Sequence, residues 1–586
     1  MKWKLTNLYQ TLEAWESDFA KLEKLIESLG TFNGKLSDYN EFLSYYKLQK
    51  ELAVLVLKVY QYAALTSDLD KRNTDNAARV QKMGFLLSKL SQVTAFESPE
   101  LLSIGKKTVE SFINKDKVLQ EYRFSIDKLF RNQEHVLDAE SESLLANFSQ
   151  LTQQGSEVYT ALSIADKVDK EVVLEDGSKI VITSGNYRSL LADSNSVSDR
   201  KIIFEAVFSQ YKEHKTSYSQ IYNTILQRDI SLMKSRKYKS SLESYLFGNN
   251  IPLDVYHNLV DVAKANTEPI KRYYKIRKDY LGLDKHHTYD RFMNLESGKT
   301  QFTFEQGKEL FFKSIEKYSK EFQDMAHSAL EDGYVDVYEQ DGKQTGAYSW
   351  GALNEHPFIL LNFDDTLNSV FTLAHEAGHS MHSLFSAQAQ PVATQNYTIF
   401  VAEIASTFNE HNLLDYVIEN SNATREDKIQ LLQQSIDDIM GTFYRQTLFA
   451  AYELKAHELA EEGVPITDES LSGIMIDLYK EFYDIDISEE NGKEYVWAYI
   501  PHLFYTPFYV YQYSTSFAAS LKLYELVKEN PKNIEKHINL LKSGGNDYPI
   551  QQVMKAGVDL TTKETFLAVV NRLNSLLDEL EVALKE

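Results

Sequence analysis

The chain has 586 residues, with 62 Lys and Arg against 85 Asp and Glu and a formal net charge of −23. So acidic a protein repels phosphate backbones and anionic headgroups, which excludes nucleic acid and membrane surfaces as expected partners. It contains no cysteine, so disulfides, thiolate nucleophiles and cysteine-ligated metals are excluded, and any metal must be held by His and carboxylates.

This length is past the size at which a single core stops growing, so at least two lobes are expected and a reactive site is easily enclosed. The N-terminal segment lacks the apolar stretch and cleavage site of a signal peptide, and no run of 18 apolar residues occurs. A soluble protein of the cytoplasm is expected, with no obligate protein partner.

Pro99 is the only proline among the first 250 residues, and apolar residues there recur every three or four positions, as in Leu52, Leu55, Tyr60 and Ala64. Long helices are predicted. Asp176-Gly177, between Val172–Leu174 and Ile180–Ile182, reads as a hairpin, and so does Asp341-Gly342 after Tyr334–Val337. The apolar run from Pro357 to Phe363 reads as a strand leading into the motif region. From Thr366 onward helical spacing returns. The fold class expected is mainly α with a small β-sheet. The expected domains are an N-terminal helical lobe over 1–185 and a catalytic domain over 186–586.

The chemistry is concentrated in Thr372-Leu373-Ala374-His375-Glu376-Ala377-Gly378-His379, an H-E-x-x-H motif on a helix predicted over about 366–386. Residues four apart on a helix stack one above the other, so the imidazoles of His375 and His379 can converge on one ion. Glu376 projects beside that ion, where it can take a proton from an attacking water, which makes it the base and not a ligand. A catalytic zinc takes three protein ligands, so one more is needed. A second apolar helix, predicted over about 398–416, carries Glu403 and Glu410 seven residues apart on one face. Glu403 lies among Val401, Ala402, Ile404 and Ala405, where a buried carboxylate calls for a cation, and it is the predicted third ligand. Glu410 suits an imidazole-orienting role, and His382 a hydrogen-bonding support.

With these residues in place, the chain resembles the thimet oligopeptidase (M3) family of zinc peptidases, and most closely its oligoendopeptidase F branch. The resemblance is carried by Gly346–Ser349, Phe358–Phe363, Thr372–Ser383, Glu403–Glu410, His502–Tyr513 and Ala556–Leu560, with Ser235–Tyr238 and Leu246–Pro252 upstream. It implies a two-lobed helical shell around a deep channel that admits short, unstructured peptides, and one zinc ion per chain held by His375, His379 and Glu403. It also implies that His502 and one or two tyrosines, Tyr509 and Tyr511 being favoured, stabilise the oxyanion. The strand bearing Phe358 and Leu360 would pair with substrate backbone, with His356 and Tyr505 also on the substrate side. The activity so implied is hydrolysis of internal peptide bonds by a metal-activated water. The alternatives are a dipeptide-releasing exopeptidase and a non-catalytic peptide-binding scaffold.

Overall fold

Free of internal proline breaks, the N-terminal sequence forms three long helices, Leu12–Gly30, Tyr39–Leu69 and Thr74–Thr94, in this computed structural model. The structure describes residues 2–586 apart from 297–299, 352 and 421–423. Each of the three helices starts on a side-chain cap, Thr11, Asp38 and Asn73, which satisfies backbone N–H groups that have no partner within the helix. Trp15, Leu22, Ile26 and Leu29 form the buried stripe of the first helix and share a core with Phe42, Tyr45 and Tyr46 of the second. Glu97 accepts hydrogen bonds from Tyr45, Tyr46 and Gln49 at 2.8 to 3.0 Å, so the buried phenols are not left unpaired. By length and composition Tyr39–Leu69 is long and apolar enough to cross a membrane, but it packs here against its two neighbours as a core helix.

The chain divides into two compact units. The first combines Met1–Glu134, Thr300–Ser421 and Ala519–Val558, and the second combines His135–Lys299, Asn422–Ala518 and Asp559–Glu586. Each unit gathers three separated stretches, and residue 185, where a single split is expected from the sequence, falls inside the second unit.

Mainly helical structure leaves room for two small sheets. In the second unit, β1 (Lys170–Val173) and β2 (Lys179–Ile182) form the antiparallel hairpin that Asp176-Gly177 implies, with Gly177 at φ 82°. In the first unit, β3 (Val335–Asp336), β4 (Tyr348–Trp350) and β5 (Phe358–Leu360) take the order β3-β5-β4. β3 runs parallel to β5 and β4 runs antiparallel to it.

The expected hairpin at Asp341-Gly342 is therefore not formed, since β5 lies between β3 and β4. Lys343 holds the turn instead. Its buried ammonium donates to Asp336 Oδ1 and to the carbonyl oxygens of Tyr338 and Leu361, each at 2.6 Å. β5 is wholly buried, as a central strand must be when its residues are all apolar, and Trp3 donates its indole N–H to Ile359 O at 2.8 Å.

Candidate active site

The motif helix (Leu367–Ala389) is started by Thr366, whose hydroxyl accepts from Ser369 N–H, while Asp364 accepts from the hydroxyls of both Thr366 and Ser369 at 2.6 Å. It packs along the acid helix (Ile399–Asn420). The contact is closest at Gly378, where a Cβ would lie 2.6 Å from both Ala405 O and Ser406 Cα. Only glycine lets the two backbones approach this near. Asn409 Nδ2 donates to Ala374 O at 3.0 Å and pins the same interface one turn further along.

This packing brings together the three predicted ligands. His375 Nε2 and His379 Nε2 lie 3.2 Å apart, and Glu403 Oε2 is 3.4 Å from the first and 3.5 Å from the second. A tetrahedral zinc with bonds of about 2.05 Å holds its ligand atoms about 3.3 Å apart, so the donor set fits that ion. Among the described residues it is also the one cluster of His and carboxylates with metal-ligand spacing. Ser406 donates to Glu403 Oε2 at 2.9 Å and fixes the carboxylate's direction.

The electrostatics match the geometry. Burial opposes charge on Glu403, but the hydrogen bond and charge of His379, with His375 beyond, hold its carboxyl down at about 2. Burial likewise opposes protonation of His375, yet the nearby Glu410 carboxylate raises it to about 9. Glu410 Oε1 lies 3.1 Å from His375 Nδ1, the ring nitrogen that faces away from Glu403, and so sets the imidazole's orientation and tautomer. Glu376 is buried, its Oε2 has no hydrogen-bond partner among the described residues, and burial raises its carboxyl. A carboxylate in that condition is a competent proton acceptor beside a metal.

Other sequence expectations meet a different arrangement. His382 lies flat on Tyr397, with ring centroids 3.5 Å apart, and neither of its nitrogens has a partner among the described residues. Its apolar burial pushes the imidazole well below its ordinary value, so it packs as a neutral ring instead of giving hydrogen-bonding support. His356 is held by two backbone carbonyls, Pro357 O at 2.7 Å and Ser328 O at 3.0 Å, and stacks on Tyr334. Phe358 and Leu360 are 0% exposed, and β5 already has a strand on each side, so it cannot accept a peptide as an added strand. The edge strands are β3 and β4, and partly buried β4 is the one with three residues.

His502, Tyr505, Tyr509 and Tyr511 belong to the second unit. The His502 ring stacks with Tyr509 at 5.7 Å between centroids, and its Nε2 lies 3.5 Å from the Tyr513 hydroxyl. Tyr511 turns into the core against Tyr256 and is 3% exposed, so it is not the partner of Tyr509. Tyr513 takes that place. No spacing rule signals it, since Tyr509 precedes the Tyr511–Glu529 helix, and the Tyr509 and Tyr513 rings meet edge-on at 5.5 Å between centroids. Tyr505 is exposed and shares a hydrogen bond with Thr160 at 2.9 Å. Gly378, Ser406 and Asn409 lie in segments that carry the resemblance but have no role in the sequence expectation, and the glycine inside the motif is the visible hint of close helix packing.

A helical fold with a His-Glu-His-Glu centre of this geometry defines a metallopeptidase, a hydrolase of peptide bonds. The family profile described as Peptidase family M3 matches residues 190–572, and one described as Oligopeptidase F matches 100–167. The chain belongs to peptidase family M3, in the oligoendopeptidase F branch. Oligopeptidase PepF of Bacillus subtilis is 35% identical to it over 99% of this chain and 86% of its own length. Group B oligopeptidase PepB of Streptococcus agalactiae is 33% identical over 99% and 96%. The crystal structure of oligoendopeptidase-F from Enterococcus faecium has a TM-score of 0.76 at 28% identity, covering 98% of this chain and 99% of its own.

Proposed function

We propose that this chain is a zinc-dependent oligoendopeptidase that hydrolyses internal bonds of short, unstructured peptides. The observation that carries the reading is the His375–His379–Glu403 triangle, whose edges suit one tetrahedral ion, with buried Glu376 on the same helix and its Oε2 without a hydrogen-bond partner among the described residues. When bound, zinc supplies Lewis-acid polarisation of the scissile carbonyl and lowers the pKa of water. Glu376 takes the proton from the attacking water at its carboxylate and returns it to the leaving amine. Glu410 keeps the His375 ring in its ligating orientation throughout. The substrate backbone adds to β4, the sheet edge, in place of the central β5. The family resemblance assigns the oxyanion's donors to the His502 region, in which His502, Tyr509 and Tyr513 stand together.

The chain's acidity supports the absence of nucleic acid and anionic membrane surfaces from its partners, and its lack of cysteine suits a cytoplasmic setting. Mass spectrometry of a short quenched peptide, incubated with the chain, with Glu376→Gln, and with chelator-stripped chain before and after zinc, tests the reading. Internal cleavage that needs both zinc and Glu376 is expected. Comparable cleavage by Glu376→Gln would sink the assigned mechanism, stepwise release of dipeptides would favour an exopeptidase, and no cleavage of any peptide would leave a binding scaffold.

A further inference from the structure

The second unit contains a cavity of about 460 Å³ lined, among others, by Arg188, Arg291, Arg445 and Lys493 on one hand and by Asp437 and Asp438 on the other. Every lining residue belongs to that unit, and none is a residue of the peptidase centre described above. Its volume is within the range of small-ligand sites. A π-helical stretch, Ile439–Tyr444, contributes Met440 and Gly441 to the wall, and such stretches widen a helix where a site is made.

The charges do not balance. Among the described residues none of the four cations forms an ion pair with a carboxylate, although Lys493 is only 4% exposed. Arg445 has the Tyr479 hydroxyl at 3.4 Å and the face of Phe449 at 4.7 Å, and Arg291 has the face of Phe292 at 4.4 Å, with the Asp437 carboxyl near enough to feel its charge. Lys493 lies over Phe208 and Tyr479 at 5.0 and 5.4 Å. The acids nearby are otherwise engaged. Asp437 accepts from Tyr273 at 2.8 Å and Gln433 at 3.2 Å, Glu490 accepts from Thr288 N–H at 2.8 Å, and Asp438 is exposed. Burial would raise the Tyr479 phenol, but Lys493, Arg445 and Arg291 together hold it below its ordinary value. Lys493 is buried and Arg291 and Arg445 are half-buried, and three cations gathered on one cavity wall with no carboxylate in ion-pair contact among the described residues suit an anion.

We propose that this cavity is a binding site for a small oxyanion-bearing ligand, its carboxylate or phosphate held by Arg291, Arg445 and Lys493 and its remainder lying against Tyr274, Tyr479 and Tyr483. Planar guanidinium groups and an ammonium suit both kinds of oxyanion. The inference does not rest on the peptidase reading, since it uses none of those residues.

Isothermal titration of the intact zinc-loaded chain with inorganic phosphate, N-acetylleucine and N-acetylleucinamide tests it. One saturable site for phosphate or for N-acetylleucine is expected, with the neutral amide at least about tenfold weaker than the acid. Phosphate alone identifies an inorganic or phosphorylated ligand, and N-acetylleucine alone identifies a free carboxyl terminus. Arg291→Met should weaken binding at least about tenfold, and Arg291→Lys should recover part of it. Binding at the metal would be indifferent to Arg291, so equal affinity in wild type and Arg291→Met overturns the site, as does amide binding as tight as acid binding or no binding at all. Should Arg291→Met not fold, Lys493→Met and the acid-against-amide comparison on the unsubstituted chain give the same decision.

Discussion

The metal-ligand region and the His502–Tyr513 region carry similar numbers of chemically active side chains, yet they are built in opposite ways. His375 and His379 sit on one uninterrupted helix, and Glu403 and Glu410 on a second, packed against the first through Gly378. Helical periodicity alone then fixes which side chains share a face. The other region passes from a four-residue helix, His502–Tyr505, through Phe508 at φ 53° into a new helix at Tyr511. No single period spans it, and buried Glu453 sets its path by accepting from Phe508 N–H at 2.7 Å. Spacing arguments hold within one regular element and fail across a turn whose direction is set by a distant residue.

The largest expected effect sharpens the first half of that comparison. Glu376→Gln should lower kcat by about 10²- to 10⁴-fold with bound metal unchanged, read by peptide turnover alongside elemental analysis. If metal is lost too, Glu376 is holding the site together and not acting as its base. Next, Glu410→Gln should weaken zinc about 10- to 100-fold in chelator competition, because the His375 ring loses its charged orienting partner. An unchanged affinity would assign Glu410 to helix packing only.

Smaller effects test the packing and the loop. Gly378→Ala adds a methyl that would sit 2.6 Å from the Ala405 carbonyl oxygen, so the helices must separate. A stability loss of about 1–3 kcal/mol by denaturant unfolding is expected, with weaker metal binding in step, since the Glu403 edge of the triangle lengthens. Stability lost without any change in metal affinity would uncouple this interface from the site. In the loop region, Tyr513→Phe should reduce kcat/KM by about tenfold or less, and Tyr511→Phe should leave it nearly unchanged while costing some stability. The reverse ranking would return the oxyanion role to Tyr511.

How much was legible follows the same division. The H-E-x-x-H helix was expected at about 366–386 and spans Leu367–Ala389, and the acid helix was expected at about 398–416 and spans Ile399–Asn420. Both were readable because their apolar spacing and caps are local. β5 was readable as a strand, but its place in the sheet was not. An all-apolar run states that both faces are buried, and says nothing of which neighbours fill its two edges. His382 is expected to give hydrogen-bonding support three residues beyond the motif, and His356 to stand beside the substrate-side strand. Their neighbours in the fold are Tyr397, Tyr334 and two backbone carbonyls, all remote or featureless in sequence.

By itself the sequence determined the helical class, the helices that carry His375, Glu376, His379 and Glu403, and the exclusion of thiol chemistry, because each follows from local periodicity or from composition. Tertiary structure alone decided that Gly378 sets the helix separation, that β4 and not β5 lies at the sheet edge, that Tyr513 and not Tyr511 accompanies His502, and that Arg291, Arg445 and Lys493 meet around one cavity. Those features depend on which distant segments pack together, and packing energy is shared among contacts that no short stretch of sequence contains.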